Sequence, residues 1–382
     1  METAPVGISV RVAELISIEE YRQRYPKAIA FQRLGQPERS APPAPTFSLG
    51  TLPGELARIM MSEFDTSPPG CYTIRHGRIT SDGIILHREA ALWSYAGNLP
   101  HYHVHVVVGV DGWDRGSLPV RYVPGAVALV FGPGHGIYGH WLIDFLPRFF
   151  LLAEAGYDIG RLRFIMPVEL PSFALEFLRM LGVPLENILF HDHSREQLLF
   201  DEIILPSGIR TSGRFHSIFA RATAFWLTRV GVPPPTERPS ERLFISRAKV
   251  HSGRVLENRD ELENIAVSEG YTLLEPQRLS LREQIALFRR TVAVVGEYGS
   301  GLHSTMFGAP SLGALVLRGT SVAPGFLQTE LAAAFQQRLG YVWGQSEVAA
   351  AEYRYNVDEG DFRLGLACLA AGEKRTLPKQ GF

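Results

Sequence analysis

Apolar, mostly β-branched positions crowd together from Thr291 to Val295, and the run then breaks into Gly296, Gly299 and Gly301 before a helical pattern resumes at Leu302. A short continuous apolar run bounded by turn residues is the pattern of a parallel strand buried on both faces. Upstream, residues 242–290 alternate strand, basic loop, helix, strand, loop, helix. That alternation predicts a parallel α/β sheet with right-handed crossovers. A second helical pattern, GHWLIDFLPRFFLLAEAG, covers residues 139–156, where His140, Asp144 and Arg148 recur at helical spacing among Trp141, Leu142, Ile143, Phe145, Leu146 and Phe149. Pro147 lacks an N–H for that helix and predicts a kink that opens the turn around Ile143.

Polar, proline-rich stretches punctuate these patterns. Residues 36–54 read as extended, within an N-terminal extension over 1–54 that carries one short helix between Ile16 and Ile29. Three consecutive prolines predict a linker over 233–241, separating a first domain at 55–232 from a second at 242–345. After residue 324 the chain reads as helical, ending in a tail over 346–382.

The glycine turn suits an anion. Glycines let a ligand approach the backbone, and the free N–H groups and dipole of a following helix favour negative charge. Ligands on open α/β sheets bind outside the carboxyl ends of the strands, so the loop after LFIS should share a crevice with this turn. Ser246, Arg247, Lys249 and Arg254 would then face it. A dinucleotide fingerprint is disfavoured, because Ser304 stands where the third glycine belongs and the next strand ends in Arg318 rather than an acid. Taken alone, the turn is equally compatible with a tight connection that binds nothing.

The histidines separate into groups. On a helix, His140 and Asp144 need a partner or a cleft among so many apolar neighbours, and the bland alternative is a pair satisfied internally. His135 lies in the glycine-rich FGPGHGIYGH segment and is expected to line the cleft. His101, His103 and His105 alternate as on one face of a strand, but no acidic residue completes a familiar metal set, and His191 and His193 flank Asp192 in a loop. No metal site is expected.

Composition narrows the setting. The 382 residues exceed one compact core, and the formal net charge of −1 implies no nucleic-acid partner. Two cysteines far apart fit a reducing compartment. No apolar run reaches the roughly 18–20 residues that span a bilayer, and no secretory pattern opens the chain, so a cytoplasmic location is expected.

LFISR at 243–247, ENRDEL at 257–262, EQI at 283–285 and the VVG, YGSGLHS and MF elements between 294 and 307 together resemble the family 61 glycosyltransferases, whose bacterial members build capsule and other surface polysaccharides. GHWLIDFLPRFFLLAEAG resembles the family's other signature, and YTIRHGRITSDGIILHREAALW at 72–93 its N-terminal hairpin region; the likeness runs from about Tyr72 to Met306. It implies an α/β, GT-B-like fold of two Rossmann-like domains facing a cleft, with acceptor side first, donor side second and the helical tail packing back on the first domain. Three positions depart from the family's pattern. Tyr298 replaces its usual histidine, Ser304 lies near its asparagine, and Leu317 or Arg318 occupies the place of a glutamate suited to the ribose.

The resemblance implies a glycosyltransferase that moves a sugar, with inversion, from a nucleotide-sugar co-substrate to a carbohydrate acceptor, without a further cofactor. Peripheral association with a lipid-linked acceptor is compatible with it. Direct displacement needs a base for the acceptor hydroxyl and a clamp for the departing diphosphate. Asp144 is the expected base, with His140 orienting it or serving in its place, and Arg148 and His135 on the acceptor side. Ser246, Arg247, Lys249, Arg254, Tyr298, Gly299, Ser300, Gly301, Leu302 and His303 form the expected donor site. Two rival readings are a non-catalytic carbohydrate-binding or assembly protein of the same fold, and another sugar-nucleotide or NAD enzyme such as an epimerase.

Overall fold

The computed structural model describes residues 14–41, 44–79, 83–93, 119–192, 195–211, 213–236, 238–249, 254–320, 326–348 and 353–371. Two compact units divide the chain, one formed by 1–39 and 65–231, the other by 40–64 and 232–382. Each is built on its own sheet flanked by helices, an α/β architecture. His101, His103, His105 and His193 lie outside the described residues.

In the first unit four parallel strands carry the organisation: β1 (Val120–Ala128), β2 (Phe164–Pro167), β3 (Ile188–His191) and β4 (Gln197–Pro206). They lie in the order β3-β2-β1-β4, so the chain reverses its direction of travel across the sheet between β1 and β4. Such a reversal leaves the connections from the two strands diverging at their carboxyl ends, which opens a crevice there. The far edge of β4 pairs antiparallel with Gly70–Arg75. Buried apolar side chains from β1, β4 and the helices Leu146–Glu154 (α1), Ser172–Met180 (α2) and Phe219–Arg229 (α3) fill the core.

The second unit repeats the principle with a different order. Strands β5 (Glu241–Ile245), β6 (Thr272–Leu274), β7 (Thr291–Glu297), β8 (Gly313–Gly319) and β9 (Arg338–Val348) are mutually parallel and lie as β6-β5-β7-β8-β9. The reversal falls between β5 and β7, which places the loop after Ile245 beside the turn after Glu297. Helices α4 (Arg259–Ser268), α5 (Leu281–Phe288), α6 (Leu327–Ala334) and α7 (Glu359–Ala371) complete the unit.

Two segments differ from expectation. Helix α7 does not return to the first unit. Its Phe362, Leu366 and Leu369 share a core with Phe244, Leu262, Leu315 and Val342, because they cover apolar sheet surface of the second unit that would otherwise face water. Residues 16–29 do not form one helix either. A strand at Glu14–Ser17 leads into a helix at Ile18–Arg24, where Ser17 Oγ caps by accepting from the Glu20 N–H at 3.1 Å, and another strand begins at Ile29 and ends at Arg33. Within the 36–54 stretch, read as extended, Phe47–Leu49 adds a parallel strand to β9.

Candidate active site

The first crevice is built by the connections that leave β1 and β4. After β1 the chain turns through Gly132, Gly134 and Gly136 and enters a helix at Tyr138 that runs through a wide π turn at Trp141–Phe145 into α1. Pro147 has no N–H to donate one turn back, and the Leu146 N–H reaches past the usual carbonyl to that of Trp141. The π turn is the structural form of the expected kink, and π turns of this kind recur at functional sites.

Within that turn His140 and Asp144 meet. His140 Nδ1 lies 2.6 Å from Asp144 Oδ2. Arg210, four residues past the end of β4, grips the same carboxyl, donating from Nε to Oδ1 at 2.5 Å and from Nη2 to Oδ2 at 3.1 Å. Asp144 is 4% exposed. Burial by itself would raise its pKa, but the Arg210 charge and the hydrogen bonds from His140 and Arg210 more than offset this and hold it well below the ordinary carboxylate range. A carboxylate so held is acceptor-only, so His140 Nδ1 carries the hydrogen and Nε2 is left as the basic nitrogen.

Both oxygens of Asp144 are engaged, whereas the His140 side chain keeps 32% of its surface exposed. Gly134, at φ +86°, makes room for the imidazole: a Cβ there would stand 2.7 Å from His140 Cδ2 and 3.0 Å from Nε2. His135 anchors the loop through its carbonyl, which accepts from Trp141 Nε1 at 2.8 Å, and its ring meets Phe131 edge-on. Arg148 is buried, donates to the Phe131 carbonyl at 2.9 Å and lies over the Phe145 ring at 5.6 Å.

The second crevice gathers arginines around the glycine turn. Arg247 lies just past β5, and its guanidinium occupies the space beside Gly299, where a Cβ would stand 2.3 Å from Nη1. Arg254 donates from Nη1 to the Tyr298 carbonyl at 2.9 Å. Arg259, the first residue of α4, donates from Nε to Glu297 Oε1 at 2.7 Å. Burial and the neighbouring Arg254 charge push the Arg247 guanidinium pKa down, while Glu297 opposes the shift. An anion entering here would relieve the crowding of positive charge.

Other predicted donor residues fall into different surroundings. Lys249 is exposed and pairs with Glu275 at 3.1 Å. Ser246 is buried and its Oγ accepts from the Ala248 N–H, shaping the loop. Ser300–Phe307 is a 3₁₀ rather than an α-helix, with Leu302 and His303 buried inside it, and the Leu302 N–H is taken by the Gly299 carbonyl at 3.0 Å. Gly299 is extended at φ 169°, and Gly301 is also outside the left-handed region, so neither is a glycine for reasons of backbone conformation. Tyr298 packs beneath Arg318, whose guanidinium lies 5.0 Å from its ring and 4.1 Å from that of Phe326.

Sequence reasoning missed Arg210, Arg259 and Glu297. Arg210 carries a signal, a cation two positions after the PSG at 206–208 that stops an apolar strand. Glu297 closes the apolar run of β7, where an acid is out of place unless it meets a partner. Among the described residues no group of three or more His, Cys, Asp or Glu side chains could hold a metal ion.

Residues 138–315 match the family model of Glycosyltransferase 61. The match begins two residues before His140 and ends within β8, so it contains His140, Asp144, Arg210, Arg247, Arg254, Arg259 and Glu297, while the glycine-rich turn at 132–137 precedes it. It supports a glycosyltransferase-type function. No curated protein matches the chain, and no helix of the described residues is long and apolar enough to cross a membrane.

Proposed function

We propose that this chain is a GT-B-type glycosyltransferase of family 61 that transfers a sugar, with inversion, from a nucleotide-sugar donor to a carbohydrate acceptor in the synthesis of a cell-surface polysaccharide. The observation that carries the reading is the His140–Asp144–Arg210 arrangement inside the matched stretch. It offers a partly exposed imidazole whose tautomer is fixed by a buried carboxylate, the arrangement a general base requires. In the reaction the acceptor oxygen attacks the anomeric carbon, its proton passes to His140 Nε2, and the bond to the diphosphate oxygen breaks. Asp144 positions the imidazole and stabilises its charged form; Arg210 holds Asp144.

The departing diphosphate is bound in the second unit by Arg247, Arg254 and Arg259 around the Gly299 turn. Charge-assisted contacts of this kind stabilise a leaving group in the transition state. Guanidinium groups supply the compensating charge, so the proposed reaction needs no divalent cation. The test is a screen of nucleotide sugars for binding by calorimetry, followed by hydrolysis and transfer assays with each one that binds. Binding followed by transfer is the expected result. Binding without hydrolysis or transfer to any sugar acceptor would favour a carbohydrate-binding protein instead.

A further inference from the structure

The ion pair between Arg259 and Glu297 is made on one side only. Arg259 uses Nε, at 2.7 Å from Glu297 Oε1, and among the described residues it makes no other hydrogen bond or ion pair. Its two Nη groups, which together carry four N–H donors, are therefore left over, on a side chain that is only 18% exposed. Glu297 is buried at 2% exposure, and its Oε2 likewise has no partner among the described residues.

An arginine and a carboxylate normally close on each other through two parallel hydrogen bonds. Here both have kept a face back. A buried carboxylate oxygen without a donor costs free energy that a purely structural ion pair could avoid by closing. The location gives the open faces a use, since Glu297 ends β7 and Arg259 begins α4 beside the point where the strand order reverses. Arg247 and Arg254 stand close enough that their charges act on one another, and Glu297 acts on Arg247.

We infer that the Arg259–Glu297 pair is a two-part recognition element for the donor: the Nη groups of Arg259 take a phosphate oxygen, and Glu297 Oε2 accepts a hydrogen bond from a hydroxyl of the same molecule. This rests on the transferase reading for the identity of the ligand and adds a specificity role that the reading does not contain. A site with a buried acceptor rejects a ligand that lacks the matching hydroxyl, because the acceptor is then left unpaired. The hydroxyl belongs either to the nucleotide's ribose or to the transferred sugar.

The test is titration of the full chain with pyrophosphate, with ADP, CDP, GDP and UDP, with their 2′,3′-dideoxy counterparts, and with the corresponding nucleotide sugars. The wild-type protein should bind a ribonucleotide roughly ten- to a hundredfold tighter than its dideoxy form if the ribose is the source. If the sugar is the source, the nucleotide sugar should instead be preferred over the bare diphosphate. Glu297→Gln should erase that preference while pyrophosphate affinity is kept or rises, and Arg259→Lys should weaken pyrophosphate itself.

Absence of both preferences in the wild type would overturn the inference without recourse to a variant, and so would a Glu297→Gln protein that keeps the preference. If Glu297→Gln does not fold, Glu297→Asp replaces it with the same expected loss. Sugar transfer by a wild type with neither preference would overturn this inference alone. A Glu297-dependent preference without any transfer would leave it standing and overturn the transferase reading. A folded wild type that binds none of these probes would overturn both.

Discussion

Asp144 sits between His140 and Arg210, 2.6 Å from the imidazole Nδ1 and 2.5 Å from the guanidinium Nε. The two contacts come from different connections, the helix after β1 and the loop after β4, and one carboxylate ties them together. Replacing Asp144 with Asn removes the buried carboxylate that faces the Arg210 guanidinium, itself 16% exposed. The expected loss of stability is on the order of 3 kcal/mol, measured by denaturant unfolding near neutral pH.

The same contact fixes a pH dependence. The folded pKa of Asp144 lies below its ordinary value, so its contribution to stability is fully present above about pH 4 and is lost as pH falls further toward the depressed value. The stability gap between wild type and Asp144→Asn should therefore narrow as pH falls below about 4. A gap that stays constant or widens as pH falls below about 4 would show that Asp144 is not held as an anion.

Gly299 owes its identity to Arg247. Since the backbone there is extended, Gly299→Ala should fold with nearly unchanged stability, while the new Cβ displaces the guanidinium and lowers pyrophosphate affinity about as much as Arg247→Ala does, roughly tenfold or more. In the double variant the two losses should not add. Additive losses would mean that glycine and arginine act separately.

Lys249 and Arg254 make a contrast. Lys249 is 58% exposed at the side chain and engaged by Glu275, whereas Arg254 reaches the Tyr298 carbonyl beside the turn. Lys249→Ala should change nucleoside diphosphate affinity by less than about threefold, within the worth of an exposed ion pair. Arg254→Ala should cost roughly ten- to a hundredfold, the range for a charge-assisted contact.

Much of the scaffold of the second crevice was legible because β7 and its turn are local: an apolar run, glycines, and a loop after β5 that parallel topology brings alongside. The placement of Arg247 and Arg254 beside the turn was read that way. Arg259 and Glu297 were not, since a charged residue opening a helix and an acid closing a strand are ordinary features until the fold joins them. The helix of His140 was legible from its spacing, but the grip of Arg210 on Asp144 was not, because the two lie 66 residues apart in the chain. Tyr298 and Arg318, read as separate departures from the family's pattern, lie in one cation–aromatic contact. That relationship spans two strands and has no local signature.

Because arginines meet the diphosphate in the proposed reaction, exhaustive chelation should leave the rate of transfer within about twofold of its value before treatment, whereas a metal-borne clamp would lose most of it. Assays in excess EDTA, with and without added Mg²⁺ or Mn²⁺, decide between them.

The most direct test is the turnover of His140→Asn beside the wild type, with the same nucleotide sugar and acceptor and with donor affinity measured in parallel. If His140 is the base, transfer falls by about two to four orders of magnitude while donor affinity and thermal stability stay close to those of the wild type. Turnover at the wild-type rate in a folded His140→Asn protein would contradict that role.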